Sequence, residues 1–91
     1  MGGSEGRTAA MRVTISLFAQ MRVQSGFSSL DLELPAQATL GEALERFYGQ
    51  HPELRPHRGS ARAAVGLEYA DADRVLKDGE EILLIPPVQG G

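Results

Sequence analysis

Residues 12–18 alternate polar and apolar, so Val13, Ile15 and Leu17 share one face of an extended segment. Phe18 points to the other face or ends the strand. The alternation returns at 30–34, where Leu30, Leu32 and Leu34 point inward and Asp31 and Glu33 outward. The two segments read as a pair of neighbouring strands. Gln24, Ser25 and Gly26 carry turn chemistry between them, but the connection is too long for a tight turn. Pro35 ends the second strand. The period then changes. Thr39 followed by Glu42 is a capping box, and Leu40, Ala43, Leu44 and Phe47 form one apolar stripe at helical spacing. This predicts a helix over 39–49, with Gly49 as its stop and Pro52 preventing continuation. Residues 50–60 read as a polar loop or broken turn.

Residues 62–67 predict a third strand, and 69–73 a turn or a short edge strand. Asp78-Gly79 is a strong turn signal. Residues 82–85 are apolar throughout, the pattern of a central strand buried on both faces. The order is two strands, a helix, a strand, a short strand and a last strand. A lone helix between strand pairs packs across one face of a mixed sheet, an α+β arrangement.

A chain of 91 residues makes one small domain. Residues 1–10 hold three glycines and no apolar period, and read as a flexible N-terminal extension rather than a signal peptide. No segment has the length and hydropathy of a transmembrane helix, so no membrane partner is expected. Without cysteine there is no disulfide, thiolate metal site or cysteine nucleophile, which suits a reducing, cytoplasmic compartment. Nine basic residues against twelve acidic ones, a net charge of −3, argue against nucleic acid as a partner.

The usual catalytic patterns are absent. His51 and His57 are separated by prolines and read as residues of an exposed loop, so no metal site is expected. Glu42/Glu45, Asp71/Asp73 and Glu80/Glu81 read as solvated surface. Arg55, Arg58 and Arg62 could form a basic patch with the histidines, but no aromatic residue interleaves with them. No glycine-rich phosphate loop follows a strand, so ATP, if it is used, binds on another protein.

What remains is the end of the sequence. Pro86 and Pro87 donate no hydrogen bonds and stop the last strand, and Val88 and Gln89 lead to Gly90 and Gly91. The last six residues span at most roughly 20 Å when extended, enough to enter another protein's active site. Two glycines make the thinnest tip a polypeptide can carry. A carboxylate there is a poor acyl donor until joined to AMP, after which a sulfur or nitrogen nucleophile can attack. The tip then acts by presentation, while a partner supplies ATP, metal and base. The plain reading is a frayed end without a task.

Residues 11–20 (MRVTISLFAQ), 63–65 (AAV) and above all 76–91 (LKDGEEILLIPPVQGG) resemble the MoaD/ThiS sulfur carriers, in the branch of the molybdopterin synthase small subunits. The resemblance implies an α+β, ubiquitin-like β-grasp fold over 11–85, a mixed sheet of four or five strands on one main helix, with 86–91 as a flexible tail. It implies that a ubiquitin-activating-type adenylyltransferase, using ATP and Mg, adenylates Gly91, and that a sulfur donor protein converts it to a thiocarboxylate. The tail then enters the large subunit of molybdopterin synthase and gives its sulfur to cyclic pyranopterin monophosphate, in a heterotetrameric complex. The chain is not catalytic alone and binds no cofactor itself. Gly90 keeps the reacting tip unobstructed. An apolar patch on the sheet docks the partner, with Phe18, Tyr69 and Ile85 at such positions, Arg22 nearby, and Pro86, Pro87 and Val88 leading into the tail. Tyr69 stands where the family has an aliphatic residue.

Three other readings compete. Carriers of the same fold serve thiazole synthesis, tRNA thiolation or cysteine synthesis. A ubiquitin-like protein modifier would join Gly91 to lysines of its targets, with only Lys77 available on the chain itself. A plain interaction module would leave the tail idle.

Overall fold

The first alternating segment folds as β1, Ala10–Leu17, with Met11, Val13, Ile15 and Leu17 buried along one face. Its partner is β2, Ser29–Pro35, antiparallel with Val13 opposite Leu32. The computed structural model describes residues 10–87. Between β1 and β2 stands a short helix, α1, Ala19–Ser25, where only an irregular connection was expected. Its single buried residue is Met21, so the stretch has too few apolar positions to show a helical period. Gly26, at φ +83°, closes it by accepting the left-handed conformation.

The main helix, α2, is Leu40–Gln50, and the capping box is formed as expected. The Thr39 hydroxyl accepts from the Glu42 N–H at 3.2 Å, and the Glu42 carboxylate accepts from the Thr39 N–H at 2.8 Å. Gly49 is not the stop. The helix runs one residue further and is ended by Pro52, which opens a 3₁₀ helix, Pro52–His57. That segment is more ordered than a polar loop because Leu54 is buried in the core. The third strand is shorter than expected: β3 is Arg62–Val65. Gly66 and Leu67 both take positive φ, +60° and +74°, and turn the chain tightly into β4, Glu68–Tyr69.

The last strand, β5, is Glu81–Ile85. The sheet order is β2-β1-β5-β3-β4, with β5 parallel to β1 and antiparallel to β3. β5 is therefore central, yet it is not buried on both faces. Ile82 and Leu84 are buried, while Leu83 and Ile85 are only half-buried. One main helix covers one side of the sheet, and alternate residues must face the other. Leu40, Ala43, Phe47 and Tyr48 of α2 join Met11, Val13, Ile15, Leu32, Leu34, Val65, Ile82 and Leu84 in a single core. The Asp78-Gly79 turn is pinned to β1: the Arg12 N–H donates to Asp78 Oδ1 at 2.8 Å, and the Gly79 N–H donates to the Arg12 carbonyl at 2.7 Å.

Candidate docking face and tail exit

Pairing registers place the candidate residues on the uncovered side of the sheet. Ser16 lies beside Leu83, Leu83 beside Ala64, and Ala64 beside Tyr69, a transverse row across four strands. The next row pairs Ile85 with Arg62. Phe18 follows Leu17, which pairs with Leu84, and its backbone is still extended at φ −134°, ψ 159°. The alternation thus carries Phe18 to the same side as Ile85. Phe18 is 41% exposed and Tyr69 58% exposed. The three docking residues expected from the sequence therefore share one surface, around the ends of β1 and β5.

Phe18 also caps α1. Its carbonyl accepts from the N–H groups of Met21 and Arg22, at 3.2 and 3.5 Å. Ala19, at φ +53°, bends the chain out of β1 into that helix. Arg22 is exposed one helical turn beyond Phe18, and it lines a shallow depression with Val23, Gly26, Phe27, Ser28 and Ser29. It flanks the apolar row and does not belong to it.

Three further residues on this surface were not foreseen from the sequence. Leu83 and Ala64 form the middle of the row, and the Arg62 guanidinium lies 3.9 Å over the Tyr69 ring. A usable signal existed: a fold with one covering helix has one open face, so one alternate set of 82–85 had to lie there.

The other half of the open face is polar. The Thr14 hydroxyl donates to Asp31 at 3.0 Å, the Ser16 hydroxyl donates to Glu81 at 2.5 Å, and Arg12 stands 3.9 Å from Glu33. The face is graded, from acidic at the start of β1 to apolar at the end of β5. The apolar end is where the chain leaves the sheet. Pairing stops at Ile85, because Pro86 has no N–H to continue the ladder. Pro86 is buried and Pro87 exposed, so the domain body extends one residue past the expected boundary at 85. At the other end β1 begins at Ala10, inside the stretch expected to be an extension. Val88, Gly90 and Gly91 lie outside the described residues.

The remaining polar candidates have structural partners. The His51 ring packs against Phe27 and Phe47, with centroids 5.1 and 5.2 Å away. His57 Nε2 is 2.6 Å from Gln24 Oε1. Both histidines are half-buried rather than exposed in a loop. Arg58 pairs with Glu45, whose carboxyl is held below its usual range by the Arg58 hydrogen bond and charge. Arg62 turns to Tyr69, so the arginines form no common patch. Among the described residues no group of three or more His, Asp or Glu is placed to hold a metal, and no helix is long and apolar enough to cross a membrane.

Comparisons with known proteins agree with the fold. A family model described as "ThiS family" matches residues 15–91. A molybdopterin synthase sulfur carrier subunit from Aedes aegypti is 37% identical over 92 aligned positions, covering 89% of this chain and 90% of that protein. One from Arabidopsis thaliana is 27% identical over 84, covering 92% and 88%. Small archaeal modifier protein 1 from Haloferax volcanii is 30% identical over 86 positions, covering 82% of this chain and 95% of that protein. The crystal structure of SAMP1 from the same organism superposes with a TM-score of 0.78 at 26% identity, covering 88% of this chain and 99% of that one.

Proposed function

Since the chain belongs to the ThiS family, a group of ubiquitin-like β-grasp proteins, we propose that it is a sulfur carrier of the molybdopterin synthase small-subunit type. The carboxylate of Gly91 attacks the α-phosphorus of ATP on a ubiquitin-activating-type adenylyltransferase that supplies Mg, and pyrophosphate leaves. Sulfide released by a donor protein then attacks the acyl carbon, the C–S bond forms as the C–O bond to AMP breaks, and a thiocarboxylate remains. The open end of the sheet docks on the large subunit of the synthase, and the tail carries its sulfur to cyclic pyranopterin monophosphate. The body of the chain contributes position and the partner contributes chemistry. A cysteine-free carrier suits the reducing cytoplasm, where this chemistry would run.

The observation that carries this reading is the coincidence of two features. The family match runs through Gly91, and central β5 leaves the sheet beside the one apolar part of the open face. The names of the plant and insect relatives support the molybdopterin branch. Intact mass spectrometry tests the chemistry. Incubation with the adenylyltransferase, ATP, Mg and a sulfur donor should give a species heavier by the difference between sulfur and oxygen. Deleting Gly91 should abolish that species and leave the melting temperature unchanged. Unaltered molybdopterin formation with the deleted chain would end the proposal.

The likeness to small archaeal modifier protein 1 favours a second reading, in which Gly91 is joined to lysines of target proteins. Both readings share the adenylate, and the acceptor separates them. Target lysines in cells joined to Gly91 through an isopeptide bond would select the modifier.

A further inference from the structure

Arg62 opens β3 and pairs across the ladder with Ile85, the last residue of β5. Tyr69 sits opposite Ala64, two residues along β3, so its ring leans diagonally to lie under the Arg62 guanidinium. The guanidinium carbon lies 3.9 Å from the ring centroid, the close approach of a cation–π contact, in which an arginine stacks its planar face on the ring. Its N–H donors lie in the guanidinium plane and remain at the rim. Among the described residues these donors have no acceptor. Arg12, Arg58 and Arg74 pair with Glu33, Glu45 and Glu80, and Arg46 donates to the Glu33 carbonyl. Asp71 lines the same depression as Arg62 and Tyr69 but makes no salt bridge to Arg62, while Asp31 and Glu33 lie on β2 and Glu81 at the far end of β5, where it accepts from Ser16.

We propose that Arg62, held flat by Tyr69, is a specificity-determining residue that binds a carboxylate on the partner docked against the apolar end of the sheet. The inference rests on the docking reading above. Its position is that of a polar rim beside an apolar centre made by Leu83, Ala64 and Ile85. Stacking removes much of the freedom an arginine loses on binding, so the fork is presented ready for two parallel hydrogen bonds. A carboxylate is the matching ligand, being planar, anionic and a pure acceptor. A cation beside the tail exit, in a chain of net charge −3, also favours an acidic partner group at this end of the sheet.

The test is calorimetric titration of the molybdopterin synthase large subunit from the same organism into four variants, each checked for an unchanged melting curve. Arg62→Gln should bind about five- to tenfold more weakly at low salt, and the gap should close as salt is raised. Arg62→Lys should fall between, since it keeps the charge and loses the fork. Tyr69→Leu should weaken binding and broaden the salt response in the same direction. Phe18→Asp serves as the control for the docking face, because aspartate is a good helix cap and the change replaces apolar surface with a negative charge. Arg62→Gln binding like wild type at every salt concentration, while Phe18→Asp fails to bind, would overturn the role of Arg62 alone. Phe18→Asp binding like wild type would remove the docking reading, and the role of Arg62 with it.

Discussion

Gly41 shows how little space the covered side of the molecule leaves. It stands in the first turn of α2, and its N–H donates to the Ala72 carbonyl at 2.8 Å. A Cβ there would lie 3.1 Å from Ala72 Cβ and 3.2 Å from the Ala72 carbonyl oxygen. The neighbour is backbone as well as side chain, so relief requires moving the connection that follows β4. Gly41→Val should lower stability by about 1–3 kcal/mol, read from the denaturant midpoint. Leu67 is the opposite case. It is 96% exposed and holds φ +74°, a conformation that a branched side chain adopts at a cost. The capping residues Thr39 and Glu42 were readable in the sequence because a cap is a local device. The contact at Gly41 was not, because Ala72 is distant in the chain.

At the scale of elements, the connection from Ala70 to Glu80 has little regular structure and is held by specific polar contacts. Leu40 and Gly41 donate to the carbonyls of Arg74 and Ala72, and Leu76 donates to that of Ala38. Arg74 grips Glu80 with two hydrogen bonds of 3.2 Å, and the Lys77 N–H donates to the same carboxylate at 2.8 Å. Burial is the largest single influence on Glu80 and opposes its ionisation. The Arg74 hydrogen bond, the Lys77 N–H and the two positive charges together outweigh it, and hold the carboxyl below its ordinary value of 4.5. A carboxyl that is a stronger acid in the folded chain stabilises the fold fully above that ordinary value. The contribution is lost as pH falls through the lower folded value. Thermal stability should therefore fall on the acid side. Glu80→Gln should melt lower than wild type at neutral pH, and the difference should narrow as pH falls below the ordinary carboxylate value.

For the whole molecule, the decisive property is that the sheet has two unequal faces. Leu84 is 1% exposed against the helix, while its neighbour Leu83 lies half-buried on the open side. Leu84→Ala should cost about 3 kcal/mol and Leu83→Ala about 1 kcal/mol, measured by chemical denaturation. Only the second position should matter for docking out of proportion to its stability cost. The same asymmetry explains why a small acidic domain can present an apolar surface: the patch is confined to one end, and Asp31, Glu33, Glu81 and their hydroxyl and arginine partners occupy the rest.

Much of this was written in the linear order of residues. Alternation at 12–18 and 30–34 specified two strands and their inward sets, and Thr39 with Glu42 specified where the main helix begins. The expectation that Phe18, Tyr69 and Ile85 dock a partner came from likeness to a family, and the registers bring all three to one face. Short-range signals have limits that are physical. Helix α1 has one buried residue and the 3₁₀ helix has one, Leu54, so neither shows a period. An apolar run such as 82–85 reads the same whether one face or two are covered, since hydrophobicity records that a residue leaves water and not what it packs against. Only the pairing of β5 between β1 and β3, with a helix on one side, decided that Leu83 and Ile85 stay partly open. Only that register brought Arg62 onto Tyr69, because a contact between strands depends on which residues are opposite, and that is set by the fold as a whole.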